Sequence, residues 1–292
     1  MKEPVFLRAY AKLNLTLAVT GRRADGYHLL DTVMQSVSLC DRLTARKRDT
    51  GVRLACAHPA VPADERNTVV RAANAFFAAA GISGGVDFAL EKRVPFEAGL
   101  GSASADAAAA LAALSKLYGE PFSPEELRSL ALSVGADVPF CLTGGTKRAQ
   151  GIGEFLSEAP PLQKGAFVVM KPSAGISTPQ AYRAVDEAAA ALPHPNADEM
   201  TAALLSGELD RIGALCENDF LLCCPLREPA RLVSALRRMG ALGASMTGSG
   251  SAVFGLFADE AAAYRAAAAL RGEAPFCEVA LPVRHGVFFE IA

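Results

Sequence analysis

Strand-period and helix-period segments occur in clusters along this chain rather than in alternation, and that arrangement limits the fold more than any other feature of the sequence. Leu13, Leu15, Leu17 and Val19 alternate with Asn14, Thr16 and Ala18, a period of two that predicts a strand with one face buried. Val86, Phe88 and Leu90 alternate with Asp87, Ala89 and Glu91 in the same way, and residues 33–39 form a weaker strand candidate. Helical spacing comes afterwards: Ala107, Leu111, Leu114 and Tyr118 lie on one face of a helix. Strict βαβα alternation would favour a doubly wound parallel sheet; clusters favour α+β.

Helix ends can be placed from local chemistry. Asn67 caps a helix running to Ala80, with Gly81 as its stop. Gly119 ends the alanine-rich helix. Ser123-Pro124-Glu125-Glu126 reads as a capping box with proline at the first helical position, ending at Gly135. In the second half, residues 166–170 and 253–257 read as strands, and residues 285–291 as a closing strand. Helices are expected from Thr178 to Leu192, over 229–239 before Gly240, and from the cap Asp259 toward Arg271. The stretch 158–165, with Pro160-Pro161 and Gly165, is the linker candidate, dividing the chain into residues 1–160 and 161–292.

At 292 residues and 51% hydrophobic the chain can bury substantial cores. Its net charge of -2 gives no bulk attraction to nucleic acid or membrane, and neither is predicted as a partner. Residues 1–14 carry charges throughout and no apolar core of signal-peptide length, and the longest apolar run, 107–114, is too short to span a bilayer. A soluble, cytoplasmic protein is expected. The seven cysteines include no C-x-x-C spacing and pair with no histidine at zinc-ligand spacing, so reduced thiols and no resident metal site are expected.

The strongest chemical signal is residues 95–106, Pro95 to Asp106, leading into the alanine-rich helix. Gly99 and Gly101 let the backbone approach an anion, and the helix start aims free N–H groups at the same point. Ser102 and Ser104 add hydroxyls that can donate to phosphate or help hold a metal. The competing reading is an ordinary glycine-rich turn with a serine cap. There is no P-loop lysine, and no third glycine of a dinucleotide fingerprint. Asp106, in the first helical turn, suits the helix dipole but would repel a phosphate, unless magnesium lies nearby. A second glycine cluster spans Thr247 to Ala252; alone it reads as a flexible turn.

Taken together, Ala11-Lys12-Leu13-Asn14, the Pro95–Ala105 loop and the late Ser245–Ser251 loop resemble, in order, the three motifs of the GHMP kinase superfamily. Arg22-Arg23-Ala24-Asp25-Gly26-Tyr27-His28, Gly135-Ala136-Asp137-Val138-Pro139-Phe140 and Ser177-Thr178-Pro179 sharpen the likeness, resembling those members that phosphorylate 4-diphosphocytidyl-2-C-methyl-D-erythritol. The resemblance implies a two-domain fold: an N-terminal domain like ribosomal protein S5 domain 2 that binds ATP, and a ferredoxin-like C-terminal domain completing the substrate cleft. It implies ATP and Mg2+ as cofactors; a monomer or weak homodimer is expected. Lys12 and Asp137 would flank the acceptor hydroxyl, Asp137 taking or orienting its proton and Lys12 stabilising developing negative charge. Pro95, Gly99, Leu100, Gly101, Ser102, Ala103 and Ser104 would hold the ATP phosphates. Asn14 would bind the methylerythritol end, Tyr27 and Tyr182 would sandwich the cytosine with His28 on its edge, and Thr178, Gly248 and Ser249 would complete the substrate site.

Each assignment has a plain structural counterpart. Asp137 after Gly135 could cap a turn, Lys12 could face solvent, Tyr27 and His28 could pack a loop, and Tyr182 could face a core. The loop also departs from the pattern GLGGGSSDAA usual in this branch, reading GLGSASADAA here. Lys147-Arg148 stands where small or apolar residues are usual; the pair either contacts a nucleotide or is exposed charge. Rival functions are a kinase of the same superfamily acting on another alcohol, and a catalytically silent binding protein on this fold.

Overall fold

A computed structural model describes residues 3–59, 61–188 and 192–290. The first half runs β1 (Val5–Arg22), β2 (His28–Arg48), β3 (Gly51–Cys56), α1 (Thr68–Ala80), β4 (Gly85–Glu91), α2 (Ser102–Tyr118), α3 (Pro124–Val134), α4 (Val138–Thr143), β5 (Thr146–Gly151) and β6 (Phe155–Glu158). The second half runs β7 (Ala166–Lys171), α5 (Thr178–Ala188), α6 (Ala197–Ser206), α7 (Leu209–Ala214), β8 (Glu217–Asn218), α8 (Asp219–Leu222), α9 (Arg227–Arg238), β9 (Gly243–Met246), β10 (Val253–Phe257), α10 (Glu260–Ala269), β11 (Phe276–Ala280) and β12 (Val287–Glu290).

Two sheets result. The larger has the order β12-β1-β2-β4-β3, with β5 and β6 branching from β2 and β8 joining β1. The smaller, β11-β7-β10-β9, is antiparallel throughout and built only from residues after 161. The chain's last described strand, β12, returns to the first sheet and pairs with β1, Phe6 opposite Glu290.

The two long strands β1 and β2 are the spine on which both halves pack. Leu7, Ala9, Leu43 and Ala45 face a core shared with α1 and α2, while Leu13, Leu15, Val33 and Val37 face Phe167, Val169 and Phe254 of the second sheet. The sequence period suggested a strand half open to solvent. The structure corrects this: Asn14 and Thr16, the polar members of the alternation, are also buried, because the loops of the second half close over the other face.

The capping signals are realised as hydrogen bonds. The Val69 N–H donates to Asn67 Oδ1 at 2.9 Å, Ser123 and Glu126 form a reciprocal box, and the Ala262 N–H donates to Asp259 Oδ1 at 2.7 Å. Gly81 and Gly119 end their helices at φ 62 and 85, where a side chain would be strained. Some expected bounds change. The helix from Thr178 is described to Ala188; residues 189–191 of that expectation lie outside the described residues, and Leu192 is not helical. The closing strand begins at Val287 rather than His285, and Ile291 lies outside the described residues. The seven cysteines are free thiols.

Candidate active site

The site lies where β1, the loop before α2, the start of α4, α5 and the β9–β10 loop converge on a cleft of about 590 Å³. Lys12 leaves β1 beneath that loop: its backbone N–H donates to Leu100 O at 3.0 Å. A Cβ at Gly101 would lie 2.9 Å from Lys12 Cγ, so this glycine gives the lysine its passage to the cleft. The Lys12 side chain is 5% exposed, which removes the solvent-facing reading. Its Nζ donates to Asn14 Oδ1 at 2.6 Å and stands 3.9 Å from Asp137 Oδ2.

Asp137 precedes α4 but makes no side-chain cap hydrogen bond. Its carboxylate lines the cleft instead, at 39% exposure, free to meet a ligand. The capping reading is therefore set aside.

Two glycine loops, remote in sequence, meet here. The Thr247 hydroxyl donates to Gly99 O at 3.2 Å, and the Ala252 N–H donates to Ala98 O at 3.1 Å. A Cβ on Gly99 (φ +74) would lie 2.1 Å from Thr247 O. Asn14 joins this junction: its Oδ1 also accepts from the Gly248 N–H at 2.9 Å, and its Nδ2 donates to Thr32 Oγ1 at 2.8 Å. Asn14 is thus engaged on both polar atoms by the protein. From behind, Asn218 Nδ2 donates to Met246 O and Gly248 O at 2.7 and 3.0 Å.

Of the residues picked from sequence, Lys12, Asn14, Asp137, Gly99, Gly101, Ser104, Thr178, Tyr182, Gly248 and Ser249 line this one cleft. Thr178 Oγ1 and Ser249 Oγ lie 3.2 Å apart, linking α5 to the late loop. The remaining candidates are not among its lining residues. Leu100 is core, and Ala103 offers its carbonyl to Thr68 Oγ1 at 2.7 Å. Pro95 borders a smaller pocket with Phe96, Arg93 and Lys171. Ser102 turns its hydroxyl inward to Asp41 at 3.0 Å. His28 stacks on Tyr182, ring centroids 4.3 Å apart and planes at 18°; its Nε2 bonds Asp186 Oδ1 at 2.6 Å, while Tyr27 is 61% exposed. Phe220 packs edge-on against Tyr182, and burial pushes the Tyr182 hydroxyl up to about 12.

Sequence reading did not single out Thr32, Glu97 and Phe220 as wall residues, nor Lys92, Asp41 and Asp106 as a buried cluster. Burial is the first cause that pushes the Asp106 carboxyl up, to about 7, against the pull of Lys92. Lys147 and Arg148 serve neither expected purpose. Lys147 pairs with Glu158, and Arg148 grips both oxygens of Asp31, at 2.8 and 2.6 Å, and reaches Asp198. They brace β2, β5, β6 and α6.

This fold and loop junction define a kinase of the GHMP class: residues 67–145 match the family model "GHMP kinases N terminal domain" and residues 200–275 match "GHMP kinases C terminal". A homoserine kinase from Cytophaga hutchinsonii shares the fold, with TM-score 0.80 at 22% identity over 99% of this chain and 98% of that one. Within the class, a curated 4-diphosphocytidyl-2-C-methyl-D-erythritol kinase from Desulfitobacterium hafniense (strain Y51) is 42% identical over 281 residues, 93% of each chain. A crystal structure of 4-(cytidine 5'-diphospho)-2C-methyl-D-erythritol kinase matches with TM-score 0.80 and 37% identity, covering 94% of this chain and 98% of that one. The chain belongs to the 4-diphosphocytidyl-2-C-methyl-D-erythritol kinase family of GHMP kinases. Among the described residues no helix is long and apolar enough to cross a membrane.

Proposed function

We propose that the chain transfers the terminal phosphoryl group of ATP to the 2-hydroxyl of 4-diphosphocytidyl-2-C-methyl-D-erythritol, giving ADP and the 2-phosphate on the non-mevalonate route to isoprenoid precursors. The observation that carries this is the meeting, in one cleft, of the Lys12–Asp137 pair with both glycine loops and with Tyr182. Phosphoryl transfer asks mainly for positioning and charge stabilisation, and each need has a residue here. Asp137 takes or orients the acceptor proton. Lys12, anchored by Asn14, places a positive charge beside the oxygen as it becomes nucleophilic. Backbone N–H groups of the loop before α2, with the Ser104 hydroxyl, receive the phosphates at a helix start.

The cytidyl end is assigned to the aromatic corner. Tyr182 with His28 offers a flat stacked surface, and the exposed Tyr27 is assigned to closing over the base. Thr178, Gly248 and Ser249, which line the same cleft, are assigned to the rest of the substrate. Asn14 is assigned to holding Lys12 and the late loop in place, its polar atoms being engaged there.

Magnesium would enter with ATP. Among the described residues no group of three or more His, Cys, Asp or Glu is set to hold a metal, whereas Mg2+ commonly takes one or two protein carboxylates beside substrate phosphates. Glu97 is a cleft carboxylate of that kind, while Asp137 is assigned to the acceptor proton. When bound, the ion neutralises charge on the phosphates. Residues 1–160 would supply the ATP site and catalytic pair, and residues 161–292 would complete the substrate cleft. The enzyme is expected to work in the cytoplasm as a monomer or weak homodimer.

The test is ADP release by the purified protein with MgATP and the cytidyl alcohol, beside mevalonate, homoserine and galactose. Turnover with the cytidyl substrate alone supports the reading. Turnover with another alcohol keeps the kinase and discards this substrate, and nucleotide binding without turnover on any of them favours a silent binding protein.

A further inference from the structure

The loop that receives the phosphates is closed from behind by charged groups that the proposed chemistry does not use. Lys92, just after β4, has a side chain only 4% exposed. Its Nζ donates to Asp106 Oδ2 at 2.6 Å, and to Asp41 Oδ2 and Ser102 Oγ. Asp41 lies on β2 with no exposure. Its Oδ1 accepts the backbone N–H groups of Arg93 at 2.6 Å and Val94 at 2.9 Å, and its Oδ2 accepts the Ser102 hydroxyl at 3.0 Å. One carboxylate therefore holds both ends of the loop, Val94 where it leaves the sheet and Ser102 where α2 begins. The loop's middle is fastened separately, by Thr247 on Gly99.

We propose that Asp41 and Lys92 are positioning residues, a clasp that closes the phosphate-binding loop from the protein interior and commits the Ser102 hydroxyl inward, away from the nucleotide. The inference rests on the ATP-site reading above. A lysine this buried is held by paired carboxylates rather than by solvent, so its charge is spent on the protein. Serine stands here where the usual branch pattern has glycine, and its hydroxyl adds a direct bond between the helix start and β2. The loop's shape is then set before the nucleotide arrives, which avoids an ordering cost at binding. If loss of the clasp leaves the loop correctly closed about a tenth of the time, the apparent nucleotide Kd rises about tenfold.

The experiment compares wild type, Lys92→Met and Ser102→Ala by MgADP titration calorimetry, by amide hydrogen exchange of residues 95–101, and by separate KM values for ATP and the alcohol. Lys92→Met should weaken MgADP about tenfold, speed exchange across the loop, and raise the KM for ATP while that for the alcohol moves little. Ser102→Ala removes one hydroxyl with no change of charge, so it tests the clasp even where Lys92→Met fails to fold. It should shift exchange and affinity together in the same direction, by a smaller factor. Weaker MgADP binding by Ser102→Ala with unchanged loop exchange would make that hydroxyl a phosphate ligand and overturn the proposal. So would unchanged exchange and affinity in both variants. A wild type that binds MgADP but phosphorylates no cytidyl alcohol would defeat the functional reading alone, since the exchange comparison needs no substrate.

Discussion

Lys12 Nζ and Asp137 Oδ2 stand 3.9 Å apart across the cleft, while the lysine's short bond runs to Asn14 Oδ1. The pair is close enough to share an incoming hydroxyl and too long for a tight hydrogen bond. Such a contact leaves the carboxylate available as a proton acceptor. Asp137→Asn should lower kcat by roughly 10²–10⁴-fold, the usual worth of a placed base, with MgADP affinity nearly unchanged in calorimetry. Retained turnover would remove Asp137 from the reaction.

Tyr182 is held by His28 on its face and Phe220 at its edge. Its hydroxyl, pushed up by burial, stays neutral throughout the working range. The ring therefore matters more than the hydroxyl. Tyr182→Phe should leave the KM for the cytidyl alcohol within a small factor. Tyr182→Ala should raise it by about tenfold or more, since stacking on a base is worth about 1–3 kcal/mol by alanine substitution. Initial-rate kinetics with the alcohol varied at saturating MgATP would separate the two.

Gly99 and Gly119 share a left-handed backbone but not an environment. A methyl at Gly99 would meet Thr247 O at 2.1 Å, whereas one at Gly119 would meet nothing within 4 Å. Gly119→Ala should cost only the conformational strain, about 1–2 kcal/mol, with nucleotide binding intact. Gly99→Ala should add separation of the two loops and so weaken MgADP binding as well. Thermal melts with and without MgADP would distinguish them: only Gly99→Ala should lose the ligand-induced rise in Tm.

The Asp106 carboxyl, pushed up to about 7 by burial, gives stability a definite pH dependence. An unfolded aspartate ionises near pH 4 (about 3.9). Between about pH 4 and pH 7 the folded chain holds a proton that the unfolded chain has released, so this contribution is complete below that window and is lost as pH rises through it. The loss is on the order of a few kcal/mol at most. Asp106→Asn should flatten the change in urea midpoint between pH 5 and pH 8; an unchanged slope would place the titration elsewhere.

Arg148 should matter for stability and not for chemistry. Removing it leaves Asp31, only 20% exposed, without its paired donor. Arg148→Ala should cost about 1–3 kcal/mol in urea unfolding, and Arg148→Lys should recover only part of that, because an ammonium cannot bond both carboxylate oxygens in parallel. kcat should be unchanged in both.

Features set by neighbours along the chain were readable in advance. The caps at Asn67, Ser123 and Asp259 and the stops at Gly81 and Gly119 depend on groups only a few residues away. The motif around Gly99 was legible because a glycine loop before a helix is itself a local object. Two kinds of error came from distance. The alternation over residues 13–19 suggested an open face, but Asn14 and Thr16 are covered by segments more than two hundred residues later, such as Thr247. Ser102 was read as facing a phosphate because nothing nearby in sequence revealed Asp41, which lies sixty-one residues before it.

By itself, then, the sequence determined several strands and helix ends, the α+β class and the residue types that a phosphoryl-transfer site requires, because periodicity, capping and backbone freedom act within a few residues. Only the tertiary structure decided which of those residues share a cleft. It freed Asp137 from capping, buried Lys12 beside it, spent Asn14 and Ser102 on the protein, and turned Lys147 and Arg148 into braces. Those outcomes depend on where remote segments pack, and a hydrogen bond or ion pair is set by the distance between atoms in space rather than along the chain.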